Sequence, residues 1–307
     1  MFTTDEAVNY ILSSSKMIVD EINKDKGCPK ELKEIQYLIF AGMIAYYGFE
    51  NIELIHKAFK NTGFIYTNKS FKEHAKSINY SDPRVDKLIE TGEVGAFVQC
   101  GFSKDLRGRY YVHRNIYVID NQRESADFFL EKIIHEVNHV VNSINNPIVL
   151  YKGVPSSRTG LFVSNIESSD SFGNILEEDY NVLQTAEIME HILEFTQYKI
   201  DDPDIRRCLD KIKFAYGRDR KGIGYDGTVS VFRDLYSNDH FRYLVKRNRL
   251  SGNIKEIRLD FDGRCGEGSF YRLCDVLDYL EVSGPNFYER MYHEGKAKEF
   301  IKKYNSN

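Results

Sequence analysis

Apolar residues recur at three- and four-residue steps over Asp5 to Ile22, Pro29 to Tyr47 and Ile52 to Phe59, the spacing that turns one helix face to a core. Gly27 and Gly48 punctuate these runs, so residues 1–80 read as a helical N-terminal region. From Gly95 the period changes. GAFVQCGF and RYYVHRNIYVID are short runs rich in β-branched and aromatic residues, and the turn-like SKDLRG between them predicts a hairpin. A long helix follows from about Glu124 to Asn145. IVLYKGV and TGLFVSN, on either side of Pro155-Ser156-Ser157, form a second β element. Asn174 then stands at the N-cap of another helix, with Glu177 three positions on in an Asn-led capping box, and Asp201-Asp202-Pro203 stops that helix after about Tyr198. The remainder alternates helical stretches with Gly-rich loops. The pattern predicts an α+β fold divided into 1–80, 81–200 and a mostly helical 201–307.

At 307 residues, 42% hydrophobic and 29% charged, the chain has material for a sizeable core and is neither a disordered nor a fibrous polymer. Asp5 and Glu6 stand where a signal peptide carries Lys or Arg, and no apolar run approaches the roughly 18 residues of a membrane helix. A cytoplasmic protein with no membrane partner is expected, signal-less export remaining open. The five cysteines are scattered, with no C-x-x-C pair, and read as reduced thiols. A net charge of −4 gives no general reason to expect nucleic acid. The charge is uneven, however, with eleven acids and one base from Leu161 to Asp204, then fourteen bases and six acids from Ile205 to Arg258. Two such segments either pack together, line one cleft, or are simply solvated faces. Gly222 to Gly227 matches G-x-G-x-x-G but follows Arg218-Asp219-Arg220-Lys221 rather than a strand, so it reads as a loop and not a dinucleotide site.

The chemistry lies in EKIIHEVNHVVNS, which holds His135-Glu136-Val137-Asn138-His139, an H-E-x-x-H in mid-helix. Residues i and i+4 share a helix face, so both imidazoles reach one Zn²⁺, while Glu136, one step round, reaches a water on that metal. In a chain of this composition about 0.02 such matches are expected by chance. A catalytic zinc needs a third protein ligand. On a helical projection from Ile175, the residues Val182, Ala186, Met189, Ile192 and Leu193 mark a buried stripe. Glu178 falls on its edge, Asp179 inside it, and Glu177 on the outer face with Gln184 and Phe195. A carboxylate at the rim of a buried stripe is costly unless paired or metal-bound, which makes Glu178 the first candidate and Asp179 the second. Asp179 could instead accept from a ligand imidazole. Glu187 and Glu190 read as solvated, as does His191, while His113 and His240 are core or site residues.

LEKIIHEVNHVVN followed by ILEEDYNVLQTAEIM resembles the zincin metallopeptidases, specifically the gluzincin branch. There an H-E-x-x-H helix is completed by a Glu near the start of a later helix, and Leu176-Glu177-Glu178-Asp179 aligns Glu178 with that ligand. The likeness covers about residues 95 to 198, and it implies a zincin-like core over 81–200. RNIYVID looks like the zincin edge strand that orients an extended peptide. The resemblance implies a zinc-dependent hydrolase cleaving peptide bonds in a peptide or protein substrate, with one Zn²⁺ held by His135, His139 and Glu178. Zinc would lower the pKa of its bound water towards about 7, and Glu136 would act as general base. Gluzincins stabilise the oxyanion with a Tyr, His or Arg, for which Arg158, Tyr151, Tyr180 and His240 are candidates. The alternative is a non-catalytic binding or regulatory protein that keeps the fold and associates with nucleic acid through basic residues 205–258.

Overall fold

The computed structural model describes residues 4–24, 26, 28, 30–67, 96–119, 126–166, 168, 170–216, 232–282 and 287–307. It is α+β and mostly helical. The chain forms two compact units, one of residues 1–141 with 184–220, the other of 142–183 with 221–307.

In the first unit α1 (Asp5–Asn23) starts at Thr4, whose Oγ1 accepts from the Ala7 N–H at 3.2 Å, with Asp5 and Glu6 at the positive end of the helix dipole. Helix α2 (Lys30–Tyr47) is sunk in the core, with Leu38, Ile39, Phe40, Ala41 and Met43 fully buried. Among the described residues no single helix is long and apolar enough to cross a membrane. A 3₁₀ turn leads into α3 (Ile52–Lys60), and there the expected helical region ends. Thr62 bonds back to the Ala58 carbonyl at 2.7 Å, and TGFIYT, suited to a pleated surface by its aromatic and β-branched residues, continues as strand β1 (Thr62–Thr67). The SKDLRG turn joins β2 (Ala96–Lys104) to β3 (Tyr110–Ile119) as expected, with the Asp105 carboxylate accepting the N–H groups of Arg107 and Arg109 at 2.9 and 2.8 Å. The strand order is β1-β3-β2, β1 parallel to β3 from Thr62↔Arg114 to Thr67↔Ile119 and β2 antiparallel to it. This corrects the edge-strand expectation. The described part of RNIYVID, Arg114 to Ile119, lies in β3, between β1 and β2, and β2 is an outer strand among the described residues. The first unit also holds α6 (Pro203–Tyr216).

In the second unit β4 (Ile148–Tyr151), β5 (Val154–Thr159), β6 (Phe162–Asn165) and β7 (Ser171–Phe172) form an antiparallel meander. Lys152 and Gly153, both at positive φ (51° and 80°), make the tight turn between β4 and β5. Pro155 was expected to separate two strands, yet it lies inside β5. It sits opposite Leu150, next to the turn, one residue beyond Ser156, the last position paired with β6, so its missing N–H costs no ladder bond. Helices α7 (Asp239–Ser251), α8 (Ile254–Cys265), α9 (Ser269–Val282) and α10 (Phe287–Ser306) complete the unit around an aromatic core of Phe232, Phe241, Phe261, Phe270 and Tyr304.

Two further helices, α4 (Ala126–Ser143) and α5 (Asn174–Glu194), each contribute to both units. The start of α5 is not held by the expected capping box. Asp278 of α9 accepts the N–H of Gly173 at 3.0 Å and of Ile175 at 2.8 Å, while the Glu177 carboxylate turns to other partners. Burial pushes the Asp278 carboxyl above the usual range despite these bonds.

Candidate metal centre

Helix α4 buries Leu130, Ile133, Ile134, Val137, Val140 and Val141 almost completely. This carries the imidazoles of His135 and His139 inside as well, each 7% exposed. Their Nε2 atoms face each other at 3.1 Å, with ring planes nearly perpendicular. Two nitrogens on one tetrahedral zinc, each about 2.0–2.1 Å from it, stand about 3.3 Å apart, so the pair already has close to the needed separation. Half-buried Glu178 of α5 completes the group, with one oxygen and the two imidazole nitrogens all within 4.8 Å of one another. Two imidazoles and one carboxylate are the donor set of a three-ligand catalytic zinc site, and the residues fit that ion. Glu136, half-buried, accepts the Val98 main-chain N–H of β2 at 3.0 Å through Oε2.

Of the other carboxylates at the start of α5, Asp179 is buried as expected and Glu177 is placed differently. Glu177, expected on an outer face, is 1% exposed and ion-paired with fully buried Arg249. It also accepts the Leu161 N–H at 2.8 Å, while Arg249 reaches Asn181 at 3.2 Å and lies over the Tyr180 ring. Asp179 is fully buried and is not one of the three grouped residues. Gln184 and Phe195, expected outside, are fully buried, whereas Ala186, expected in the stripe, is exposed. The reason is that α5 serves two cores. Ile175, Leu176 and Tyr180 belong to the core of the second unit and Ile188, Met189 and Ile192 to the first, so no single stripe runs its length.

The oxyanion candidates make the following contacts. Arg158 is buried and donates to the carbonyls of Asn146 and Gly160 at 3.1 and 2.7 Å. Tyr180 donates to the Arg242 carbonyl at 2.9 Å, and His240 is exposed and paired with Asp260 at 3.0 Å. Tyr151 packs on Phe172. His191 is half-buried beside Glu194, Glu187 is half-buried and Glu190 exposed. The side chain of His113 and the stretch Gly222 to Gly227 lie outside the described residues.

The oppositely charged segments meet in the Glu177–Arg249 pair. Other arginines of the basic stretch also have acidic partners, namely Arg207 with Glu34 and Asp204, Arg242 with Asp239, and Arg247 with Glu256. The described part of that stretch therefore presents partly neutralised charge. Burial holds the thiols of Cys28, Cys208, Cys265 and Cys274 above their usual range, and none of the four is in a disulfide.

Sequence reasoning missed two elements beside this group, the Val98 N–H on Glu136 and the buried amides of Asn138 and Gln184. The second had a signal, an Asn inside an otherwise apolar helical turn. No protein-family model, no curated protein and no solved structure matches the chain.

Proposed function

We propose that this chain is a zinc-dependent hydrolase with a gluzincin-like core, acting on peptide bonds. The observation that carries the reading is the meeting of His135, His139 and Glu178, brought together from two helices, with Glu136 next to His135 in the sequence. His135, His139 and Glu178 would hold the ion. When bound, it supplies Lewis-acid chemistry, polarising a carbonyl and acidifying water. The chain's own residues then do the following. Burial around α4 limits the access of bulk water to the imidazoles. The Val98 N–H orients the Glu136 carboxylate, which takes a proton from the attacking water and returns it to the leaving amine nitrogen.

Hydrolysis of a quenched fluorescent peptide library tests this, comparing wild type with Glu136→Gln at matched zinc occupancy. General-base catalysis is worth about 10² to 10⁴ in rate, so the variant is expected to lose at least the lower figure while retaining the metal. A variant that cleaves as fast as wild type would show that Glu136 is not the base.

A further inference from the structure

A chain of buried hydrogen bonds runs beside the metal group. Tyr47 Oη donates to Asn138 Oδ1 at 2.5 Å, Asn138 Nδ2 donates to Gln184 Oε1 at 3.1 Å, and Gln184 Nε2 donates to Tyr46 Oη at 2.9 Å. Asn138 and Gln184 are fully buried, and the Tyr46 and Tyr47 rings meet edge to face at 4.7 Å. Helix α2 reaches this point through Gly42, one turn before Tyr46. A Cβ at Gly42 would lie 2.5 Å from Ile192 Cγ1 of α5, so only glycine allows the close approach. Three helices are thereby tied by directional contacts, where leucine or isoleucine would have filled the space without any desolvation cost.

The position of these amides gives the network its meaning. Asn138 stands between the two histidines of H-E-x-x-H, adjacent to His139 and less than one turn from His135, while Gln184 follows Glu178 on α5 by under two turns. An apolar contact tolerates a slide of an ångström, but a 3.1 Å amide–amide bond does not. Metal donors tolerate about 0.2 Å.

We infer that Asn138 and Gln184, braced by Tyr46 and Tyr47, are positioning residues of the metal site. They fix the register of α4 against α5, so that the Glu178 carboxylate meets both imidazoles. The inference rests on the metal-site reading above and adds residues that touch neither metal nor substrate.

The test is zinc affinity, measured by competition with a chromophoric chelator, together with the visible d–d spectrum of the Co²⁺-loaded protein. The variants are Asn138→Leu, Gln184→Met and Tyr47→Phe, the last removing one hydroxyl without opening a cavity. Tyr37→Phe is the control, since it removes a hydrogen bond to Asp20 (2.6 Å) elsewhere in the first unit. Asn138→Leu and Gln184→Met are expected to weaken zinc about 10- to 100-fold, the usual loss for outer-shell partners, and to reduce the intensity of the cobalt bands. Tyr47→Phe should lie between them and the control, which should match wild type. A purely structural role predicts lower melting temperatures with unchanged affinity and spectrum, and that result in Tyr47→Phe and either amide variant overturns the inference. If wild type itself binds neither ion, the metal-site reading fails and this inference falls with it, whereas unchanged variants of a zinc-binding wild type overturn the positioning role alone.

Discussion

Glu177 and Glu178 are neighbours in sequence, and the structure assigns them opposite consequences. Glu177→Ala strips the carboxylate from an ion pair whose partners are 0% and 1% exposed. It leaves the Arg249 guanidinium in the core without its counter-charge and removes the acceptor of the Leu161 N–H. Breaking a buried pair by deleting one member costs about 3–5 kcal/mol, whereas replacing both with apolar residues of similar volume is close to neutral. Glu177→Ala should therefore destabilise the protein by about 3–5 kcal/mol. Glu177→Leu combined with Arg249→Met should recover most of that, less about 1–3 kcal/mol for the orphaned Leu161 N–H. Urea unfolding followed by circular dichroism gives both numbers, and zinc retention of the folded single variant should stay near wild type. Glu178→Ala should do the reverse, releasing metal while costing the metal-free protein less than about 1 kcal/mol for a half-buried side chain. A Glu177→Ala cost under about 1 kcal/mol, or a double variant less stable than the single, would refute the buried-pair reasoning.

Other outcomes follow from the same contacts. Asp278→Ala removes the acceptor of the Gly173 and Ile175 N–H groups at the start of α5 and should cost about 1–2 kcal/mol in the same urea assay. Gly42→Ala must push against Ile192 and should lose about 1–3 kcal/mol by thermal melting. Lys16 and Asp202 pair at 2.5 Å with side chains about one-third exposed, so Lys16→Met should cost no more than about 1 kcal/mol at neutral pH. Burial alone would raise the Asp202 carboxyl, but the Lys16 ammonium and the Ile205 and Asp204 N–H groups hold it below its usual value. The bond to Asp202 raises Lys16. A depressed carboxylate contributes above its unfolded pKa and a raised ammonium below its own, so the difference between variant and wild type should fade both below about pH 4 and above about pH 10.5, as stability measured across pH would show.

Much of this architecture was legible in the residues, and the exceptions share a cause. Helices α1 and α3 follow the expected spans because each buries a periodic apolar face, α2 and α4 keep theirs although residues 36–44 and 137–143 are buried all round, and the hairpin follows its Asp105-centred turn. The start of β1 was hidden because its run is only six residues long and its partner β3 lies some fifty residues on. Pro155 reads as a break until its place beyond the last β6 pair is known. The two histidines could be read from spacing alone because i and i+4 always share a helix face. Glu178 was reached through a projection that failed for Glu177, Gln184 and Ala186, since α5 is buried by different partners along its length. Those partners are tertiary contacts with no local signature, and although Asn138 stands out in its apolar turn, nothing local names Gln184 as its partner.

The central claim is that His135, His139 and Glu178 form one metal site, and elemental analysis of protein purified without chelator or added metal tests it most directly. About one zinc per chain is expected in wild type, with loss in the double variant His135→Ala/His139→Ala and in Glu178→Ala but not in Glu177→Ala. Wild-type protein that arrives metal-free and takes up no zinc on dialysis against it would contradict the account.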